Sequence, residues 1–220
     1  MISQPSFQLA SFDLDGTLVR GTSTGGFLAQ KMGHAEAMLA AEQLYAEGKV
    51  ANDYVSTLDG EYYRGYCKAD IFALLADIPQ IRHIGETVSA LNQLGIPCVI
   101  CTLAWEFVAE YFAERYGFMA WSGPALQVDT QGQFTGRIQS HFDETGKPVF
   151  IEQICQRFGF SMDRVFHVGD SRSDIELFKR AGYSVAINAT PDAQANANCQ
   201  LSTESLLDVL PLIPGLQLDR

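Results

Sequence analysis

Four short and almost wholly apolar runs are spaced along the chain, and each is typical of a strand covered on both faces of a parallel sheet. They are residues 7–13, 96–102, 164–169 and 183–188. Apolar residues at helical spacing mark three further segments, residues 85–94, 105–116 and 149–158. This alternation predicts an α/β fold with a doubly wound parallel sheet. Sheets of that kind bind ligands beyond the carboxyl ends of their strands.

Two segments interrupt the alternation. Residues 22–83 contain no convincing strand, and their apolar residues recur every three to four positions, which predicts a helical insertion between the first two strands. Residues 125–136 alternate with period two around Gly132 and predict a hairpin. We therefore expect a Rossmann-like core domain formed by residues 1–20 and 84–220, and a helical cap domain formed by residues 21–83. The glycine-rich residues 21–26 are interpreted as the hinge into the cap.

The charge balance narrows the classes of partner. The chain has 26 acidic and 15 basic residues and a net charge of -11, which disfavours nucleic acid and anionic membranes as partners. No run of 18 apolar residues is present, and residues 1–10 carry neither a basic segment nor a long apolar one. We expect a cytoplasmic protein, either a monomer or a homodimer.

The five cysteines are odd in number and widely spaced, so we expect reduced thiols. Cys98 and Cys101 form a C-x-x-C pair that redox or zinc chemistry could use. They lie on a predicted buried strand, however, where residues three apart point to opposite faces. We therefore interpret both as core residues.

Polar residues lie at four places along the chain, either at the carboxyl ends of predicted strands or in the helices that follow. They are Asp13 and Asp15, Thr102, Lys147, and Asp170 with Asp174. Each has an ordinary interpretation on its own: an Asx turn, a strand end, a solvated helix start, or a helix cap. Their combination at one edge of one sheet predicts a site for phosphoryl transfer.

The chemistry of such a site follows from its charges. Carboxylates about 4 Å apart repel by about 4 kcal/mol per pair at an effective dielectric near 20, so the acids favour a divalent cation. An all-oxygen ligand set favours Mg²⁺, which shares its coordination shell with a substrate phosphate. One carboxylate could attack phosphorus and a second could move the proton, while Thr102 and Lys147 bind the phosphoryl group. The ligand candidates are Asp13, Asp15, Asp170 and Asp174.

Four motifs resemble those of the haloacid dehalogenase superfamily of Mg²⁺-dependent phosphatases. They are residues 12–18 (FDLDGTL), residues 99–102 (VICT), Lys147, and residues 168–174 (VGDSRSD). The resemblance implies that Asp13 is the nucleophile and that Asp15 is the general acid and base. It further implies that Asp15 offers its backbone carbonyl to the metal, that Asp170 binds Mg²⁺ directly, and that Asp174 acts largely through water.

The chain is similar, within that superfamily, to the phosphoserine phosphatase branch. The helical insertion, residues 47–49 (EGK) and the hairpin before Lys147 carry this likeness. Three departures fall where the branch reads the amino acid of its substrate. Residues 21–26 lack its Glu, Leu103 replaces a glycine, and Asp59 stands where its cap supplies an Arg, with Arg64 the nearest alternative. The resemblance therefore does not carry phosphoserine over as the substrate.

The function expected from the sequence is a Mg²⁺-dependent phosphatase that hydrolyses a small phosphorylated metabolite through an aspartyl-phosphate intermediate. A phosphotransferase acting on a second metabolite is one alternative, and a non-catalytic phospho-acceptor or binding protein is another. His167, on a predicted strand, is interpreted as a core histidine that lies near enough to Asp170 to support the site. Tyr62, Tyr63 and Tyr66 either line a pocket under the cap or pack its helices.

Overall fold

A six-stranded sheet forms the centre of the protein, in a computed structural model that describes residues 6–216. Neighbouring strands are parallel throughout, in the order β3-β2-β1-β6-β7-β8. The strands are β1 (Leu9–Phe12), β2 (Cys98–Ile100), β3 (Ala120–Trp121), β6 (Val165–Gly169), β7 (Tyr183–Ile187) and β8 (Cys199–Leu201). The chain runs outward from β1 to β3 and then returns to the other side of β1 with β6. The boundary between β1 and β6 is therefore the topological switch point, where open α/β sheets bind ligands.

Helices cover both faces of the sheet, and their contacts explain why the strands are apolar throughout. In the part of the chain outside the insertion these are α5 (Ile84–Gln93), α6 (Glu106–Tyr116), α7 (Gly146–Phe158), α8 (Ile175–Arg180) and α9 (Pro191–Asn196). Ala10 and Phe12 pack into the larger apolar cluster, whereas Leu9 packs into a second cluster on the opposite face. Cys98 and Cys101 divide between the same two clusters, so the interpretation of both as core residues is confirmed.

The insertion is helical, as its periodicity predicts. It contains α1 (Thr24–Met32), α2 (Ala35–Ala46), α3 (Asn52–Gly60) and α4 (Lys68–Leu74). Gly33 separates α1 from α2 with a φ of 87°, a conformation in which glycine has no steric penalty. Because of this break, the apolar spacing of α1 does not continue on the buried side of α2. Leu39, which follows the three-to-four spacing of α1, is 67% exposed. The glycine-rich segment is also more than a hinge, because α1 already begins at Thr24.

The hairpin has the predicted form, with β4 (Ala125–Val128) antiparallel to β5 (Phe134–Ser140). The two edge strands, β3 and β8, have only two and three residues and were not predicted from the sequence. After β6, residues 172–174 form a 3-10 turn that leads into α8. Within the described residues, no helix combines the length and apolar character needed to cross a membrane.

Candidate active site

The polar residues meet at the carboxyl edge of the sheet because their strands are neighbours. Asp13 directly follows β1, Asp170 directly follows β6, and Thr102 lies two residues beyond β2. The Asp13 N–H donates to the Val168 carbonyl at 2.9 Å, which holds the end of β1 against β6. Gly16 in the next turn has a φ of 81°, and a Cβ at this position would overlap the Asp170 carboxylate. A glycine is therefore required for the close approach of these two loops.

Three carboxylates and one ammonium group form the centre of this edge. Oxygen atoms of Asp13, Asp170 and Asp174 all lie within 4.8 Å of one another. Lys147, in the first turn of α7, is fully buried, and its Nζ lies 3.0 Å from Asp13 Oδ1 and 2.7 Å from Asp174 Oδ1. Lys147 also donates to Ser173 Oγ at 3.0 Å. The sequence-predicted cation thus pairs with two of the four predicted carboxylates.

Burial and charge shift the pKa values of this cluster in different directions. Burial and then the charge of Asp174 raise the pKa of Asp13, in spite of Lys147. Burial and then Asp13 raise the pKa of Asp170 to about 9. Burial also penalises the Asp174 carboxylate, but Lys147 and His167 outweigh that penalty and lower its pKa. For Lys147, the carboxylates of Asp13 and Asp174 outweigh burial and raise the pKa.

The charge balance of the cluster fits a divalent cation. Asp13, Asp170 and Asp174 carry three negative charges when ionised, and Lys147 supplies one positive charge. The raised pKa values of Asp13 and Asp170 express the remaining repulsion. Oxygen donors at this spacing suit Mg²⁺, and Asp13 and Asp170 have the less fully paired carboxylates. Asp174 already accepts from Lys147 and His167 through Oδ1, and from the Asp170 and Ser171 N–H groups through Oδ2.

Asp15 faces a different environment from the other three acids. Its carboxylate accepts from the Thr24 N–H at 2.7 Å and from the Thr24 hydroxyl at 3.0 Å, at the start of α1. It does not belong to the group of carboxylates within 4.8 Å. Burial raises the pKa of Asp15 to about 7, although the Thr24 hydrogen bonds act in the opposite direction. Asp15 therefore suits proton transfer near neutral pH better than it suits carboxylate ligation of a metal.

Thr102 stands at the end of β2 with donors beside it. Its N–H donates to Ser122 Oγ at 2.9 Å, and its own hydroxyl accepts from the Ala104 N–H at 3.1 Å. The hydroxyl proton of Thr102 is therefore directed away from that N–H. The Leu103 N–H makes no hydrogen bond within the described part of the chain, and both residues line the cavity above the carboxylates. Such donors suit the oxygens of a phosphate group.

His167 is a buried strand residue that supports the cluster. Its Nε2 lies 3.0 Å from Asp174 Oδ1, and its Nδ1 lies 3.0 Å from the hydroxyl oxygen of Ser11 on β1. From its place in the sequence His167 was expected near Asp170, but its hydrogen-bonding partner is Asp174. Both nitrogens are occupied by neighbouring polar atoms, so the side chain holds Asp174 in place.

A cavity of about 450 Å³ lies over these residues, between the sheet edge and the helical insertion. The insertion contacts the loop after β2 through two hydrogen bonds, one buried and one partly buried. Trp105 Nε1 donates to Asp59 Oδ2 at 2.7 Å, and the other Asp59 oxygen lies 2.7 Å from His34 Nε2. Asn52 donates to the Leu103 carbonyl at 3.3 Å. These contacts fix α3 over the carboxyl edge of the sheet.

The remaining sequence candidates divide between the cavity and the interior of the insertion. Arg64 is exposed and does not line the cavity, whereas Asp59 lines it. Tyr63 is buried against Trp105 and Phe107, and Tyr62 stacks on His34 at a ring separation of 3.8 Å. None of Tyr62, Tyr63 and Tyr66 lines the cavity: Tyr62 packs within the insertion, Tyr63 packs between the insertion and the core, and Tyr66 is exposed. Thr24, His34 and Trp105 were not identified from the sequence, because their contacts join segments that no local pattern connects.

The fold and the arrangement of carboxylates define a class of protein. The sequence model of the haloacid dehalogenase-like hydrolases matches residues 10–179. This range includes all of β1 except Leu9, the insertion and every polar residue of the cluster. The chain therefore belongs to the haloacid dehalogenase-like hydrolase family.

Within that family the chain is similar to phosphoserine phosphatases. It is 29% identical to the one from Saccharomyces cerevisiae over 119 residues, covering 53% of this chain and 38% of that protein. It is 27% identical to one from Mycobacterium tuberculosis over 213 residues, covering 94% of this chain and 50% of that protein. The chain thus spans half or less of the length of these two relatives.

Among solved structures, the chain is similar to a phospho-aspartyl intermediate analogue of phosphoserine phosphatase. The TM-score is 0.81 at 23% identity, and the match covers 94% of this chain and 99% of the other. At this level of identity the likeness establishes the fold. It includes both the parallel sheet and the helical insertion, because it extends over nearly the whole of both chains.

Proposed function

We propose that this chain is a phosphomonoesterase that uses Mg²⁺ and forms an aspartyl-phosphate intermediate on Asp13. The observation that carries the proposal is the cluster of Asp13, Asp170 and Asp174 within 4.8 Å, paired with buried Lys147 at the floor of a cavity. Bare carboxylates at this spacing are costly, so an arrangement that retains them is best explained by a bound cation and an anionic substrate.

In the first step, an Asp13 carboxylate oxygen attacks phosphorus and the bond from phosphorus to the ester oxygen breaks. Asp15, protonated because its pKa is raised to about 7, gives its proton to the departing alkoxide. The two Thr24 donors hold the Asp15 carboxyl group in a fixed orientation. Lys147 is close to the attacking carboxylate and offsets charge that develops on the transferred group.

In the second step, Asp15 accepts a proton from a water molecule that attacks the phosphorus of the aspartyl phosphate. The acyl phosphate bond breaks, which returns the Asp13 carboxylate and releases inorganic phosphate. Thr102 and the Leu103 N–H donate to the phosphoryl oxygens. Asp13 and Asp170 would hold Mg²⁺, with Asp174 supporting them. The bound ion supplies Lewis-acid polarisation of the phosphoryl group.

The similarity to phosphoserine phosphatases supports this assignment. Curated relatives carry that name, and one similar solved structure is described as a phospho-aspartyl intermediate analogue. We also propose that residues 21–83 act as a cap domain over the core formed by residues 1–20 and 84–220. Support comes from the cavity between the two parts, which would enclose only a small phosphorylated metabolite. Residues 1–5 and 217–220 of the core lie outside the described residues.

The experiment is the turnover of an aryl phosphate by wild type and by Asp13→Asn in the presence of Mg²⁺. We expect the variant to lose about 1,000-fold or more of kcat, because its amide is a poor nucleophile. Asp192→Asn makes the same chemical change at an exposed position on the cavity rim and is expected to keep wild-type turnover. Equal turnover by Asp13→Asn and wild type would exclude the proposed intermediate. Equal release of phosphate and aryl alcohol, with glycerol present as an acceptor, would separate hydrolysis from transfer.

A further inference from the structure

The wall of the cavity that faces the carboxyl edge of the sheet carries acidic side chains, and that edge, with Asp13, Asp170 and Asp174, is called the reactive edge below. Among the described residues that line the cavity, six are acidic and one is basic. The acidic residues are Asp13, Asp15, Glu42, Asp59, Asp170 and Asp192. Glu42 and Asp59 are the two contributed by the helical insertion, and they face the reactive edge from α2 and α3. A ligand that extends from the phosphate site towards the insertion therefore meets carboxylates.

The basic side chain, Arg172, is already engaged at the cavity rim. Its guanidinium lies 4.4 Å from the centre of the Tyr45 ring, and its Nη2 donates to the Tyr45 carbonyl at 3.1 Å. Nη2 also lies 3.6 Å from Glu144 Oε1. With its charge balanced by Glu144, Arg172 is poorly suited to bind a carboxylate of the ligand.

The two carboxylates of the insertion differ in how well they are paired. Asp59 is 1% exposed, and each of its oxygens has a partner, His34 on one side and Trp105 on the other. Glu42 accepts a hydrogen bond at Oε1 from the Ser23 hydroxyl, and its Oε2 makes no hydrogen bond in the described part of the chain. Burial raises the pKa of Glu42, and the charge of Asp59 adds to that effect. Glu42 is thus the carboxylate with capacity for a further donor.

The beginning of α1 fixes Glu42 relative to the reaction centre. Ser23 donates to Glu42, and the next residue, Thr24, donates its N–H to Asp15 at 2.7 Å. Consecutive Cα atoms are about 3.8 Å apart, so the Glu42 and Asp15 carboxylates lie within roughly 10 Å of each other. Asp15 is the residue proposed to protonate the leaving oxygen. A short alcohol hydrogen-bonded to Asp15 at one end is therefore long enough to reach Glu42 at the other.

We propose that Glu42 binds a positively charged nitrogen on the leaving alcohol, so that the substrate is the phosphate monoester of a short amino alcohol without a carboxylate. This inference rests on the proposed phosphatase function and adds its substrate class. The carboxylate of Glu42 is half-buried and lines the cavity together with Met38 and Val55, and it accepts a charge-assisted hydrogen bond from an ammonium group. A carboxylate on the same alcohol would face Glu42 and Asp59 without an available cation, which disfavours phosphoserine.

The test compares kcat/KM for four alkyl phosphate esters and for an aryl phosphate whose leaving group carries no amine or carboxylate, with Mg²⁺ present. The esters are phosphoethanolamine, phosphocholine, phosphoserine and glycerol 1-phosphate. We expect phosphoethanolamine or phosphocholine to exceed glycerol 1-phosphate and phosphoserine by about tenfold or more. The first two probes distinguish a primary ammonium, which donates hydrogen bonds, from a quaternary ammonium, which does not. Preference for either supports a positively charged nitrogen at Glu42, and preference for phosphocholine would mean that charge attraction, and not a hydrogen bond, binds it.

Variants locate the selectivity at Glu42. Selectivity is measured as kcat/KM for the preferred amino-alcohol phosphate divided by kcat/KM for glycerol 1-phosphate. Glu42→Gln is expected to lower this ratio by about 10- to 100-fold. Glu42→Lys is expected to shift preference towards a carboxylate-bearing ester such as phosphoserine. Glu36→Gln, the same change at an exposed position on α2, serves as the control and is expected to keep both the ratio and the aryl phosphate activity.

The outcomes separate this inference from the proposed function. Hydrolysis of the aryl phosphate and of glycerol 1-phosphate, without preference for the amino-alcohol esters, would overturn the inference and leave the phosphatase assignment intact. A preference that persists unchanged in Glu42→Gln would also overturn it, because the charge of Glu42 would then play no part. Absence of turnover for every ester would overturn the phosphatase assignment and this inference with it.

Discussion

Asp170→Asn is expected to make the metal-free protein more stable and to remove its stabilisation by Mg²⁺. Asp170 lies with Asp13 and Asp174 inside 4.8 Å, and Lys147 pairs with the other two but not with Asp170. The hydrogen bond to the Asp170 side chain comes from Thr17 Oγ1 at 3.3 Å, and an Asn carbonyl oxygen accepts it equally well. The substitution therefore removes repulsion without leaving a donor unpaired.

The magnitude follows from Coulomb's law. Two unit charges separated by 4.8 Å, the upper limit for this cluster, interact by about 3.5 kcal/mol at an effective dielectric of 20. Asp170 is partly exposed, and burial together with Asp13 raises its pKa to about 9, so the metal-free protein avoids part of this cost by keeping a proton. After screening, we expect a gain of about 1–3 kcal/mol. For a chain of this length that corresponds to roughly 3–10 °C in Tm.

The assay is thermal unfolding at pH 7.5, first with EDTA and then over a series of Mg²⁺ concentrations. Wild type is expected to gain stability with Mg²⁺ according to mass action, by about 2.7 kcal/mol when the ion reaches 100 times its Kd. Asp170→Asn is expected to unfold at a higher temperature than wild type in EDTA and to respond weakly to Mg²⁺. Asp192→Asn, which changes the same charge on the exposed rim, is expected to follow wild type in both conditions.

Two results would refute the reasoning. A variant that is less stable than wild type in EDTA would mean that the protein compensates the Asp170 charge without a cation. An unchanged Mg²⁺ response in the variant would place the ion away from Asp170. Either result would remove the electrostatic argument for a cation at this edge of the sheet.

Three further predictions concern the same region. Lys147→Met should lower the free energy of unfolding, measured by urea titration, by about 3–5 kcal/mol, because it leaves the buried carboxylates of Asp13 and Asp174 without their cation. A loss below about 1 kcal/mol would contradict this. The Asp15 carboxyl group loses its proton near 3.8 in the unfolded chain and near 7 in the folded one. As pH rises between these values, the contribution of Asp15 to the stability of the metal-free protein therefore falls by up to about 1.4 kcal/mol per pH unit. Asp15→Asn should make the unfolding free energy, measured with urea at pH 5, 6 and 7, depend less steeply on pH. Trp105→Phe leaves a buried Asp59 oxygen without its donor and should cost about 1–3 kcal/mol, whereas equal stability would mean that water replaces the indole N–H.

The sequence was sufficient to predict the four central strands of the sheet and the convergence of the polar residues that follow them. Continuous apolar runs identify β1, β2, β6 and β7, because a parallel strand with helices on both faces has no solvated side. The acids that follow β1 and β6 then meet, because the carboxyl ends of adjacent parallel strands share one edge. Edge strands β3 and β8 carry no such signal, since they are short and only half-buried. Their existence depends on a neighbouring strand that offers free backbone groups.

The contacts of the insertion with the core could not be predicted from local patterns. Asp59 meets Trp105 across 46 positions of sequence and His34 across 25. The sequence analysis identified Asp59 as a departure from related proteins but not what it binds. The orientation of Asp15 towards Thr24 was equally hidden, because the glycine-rich segment was interpreted as a hinge. A helix start is recognisable there afterwards, since Ser23 accepts the Gly26 N–H as an N-cap.

That helix start connects the chemistry of the site to its selectivity. Ser23 and Thr24 are consecutive, and through them one turn of α1 contacts both the proposed proton donor, Asp15, and the proposed cation ligand, Glu42. A displacement of the insertion that breaks one contact therefore also disturbs the other. Because two donors hold Asp15, proton transfer to the leaving group requires the insertion to be in place over the substrate. A leaving group that binds Glu42 without breaking its contact with Ser23 is then expected to raise kcat as well as lower KM. Simple binding at Glu42 would lower KM alone, so the effect on kcat tests whether Glu42 and Asp15 are coupled through α1.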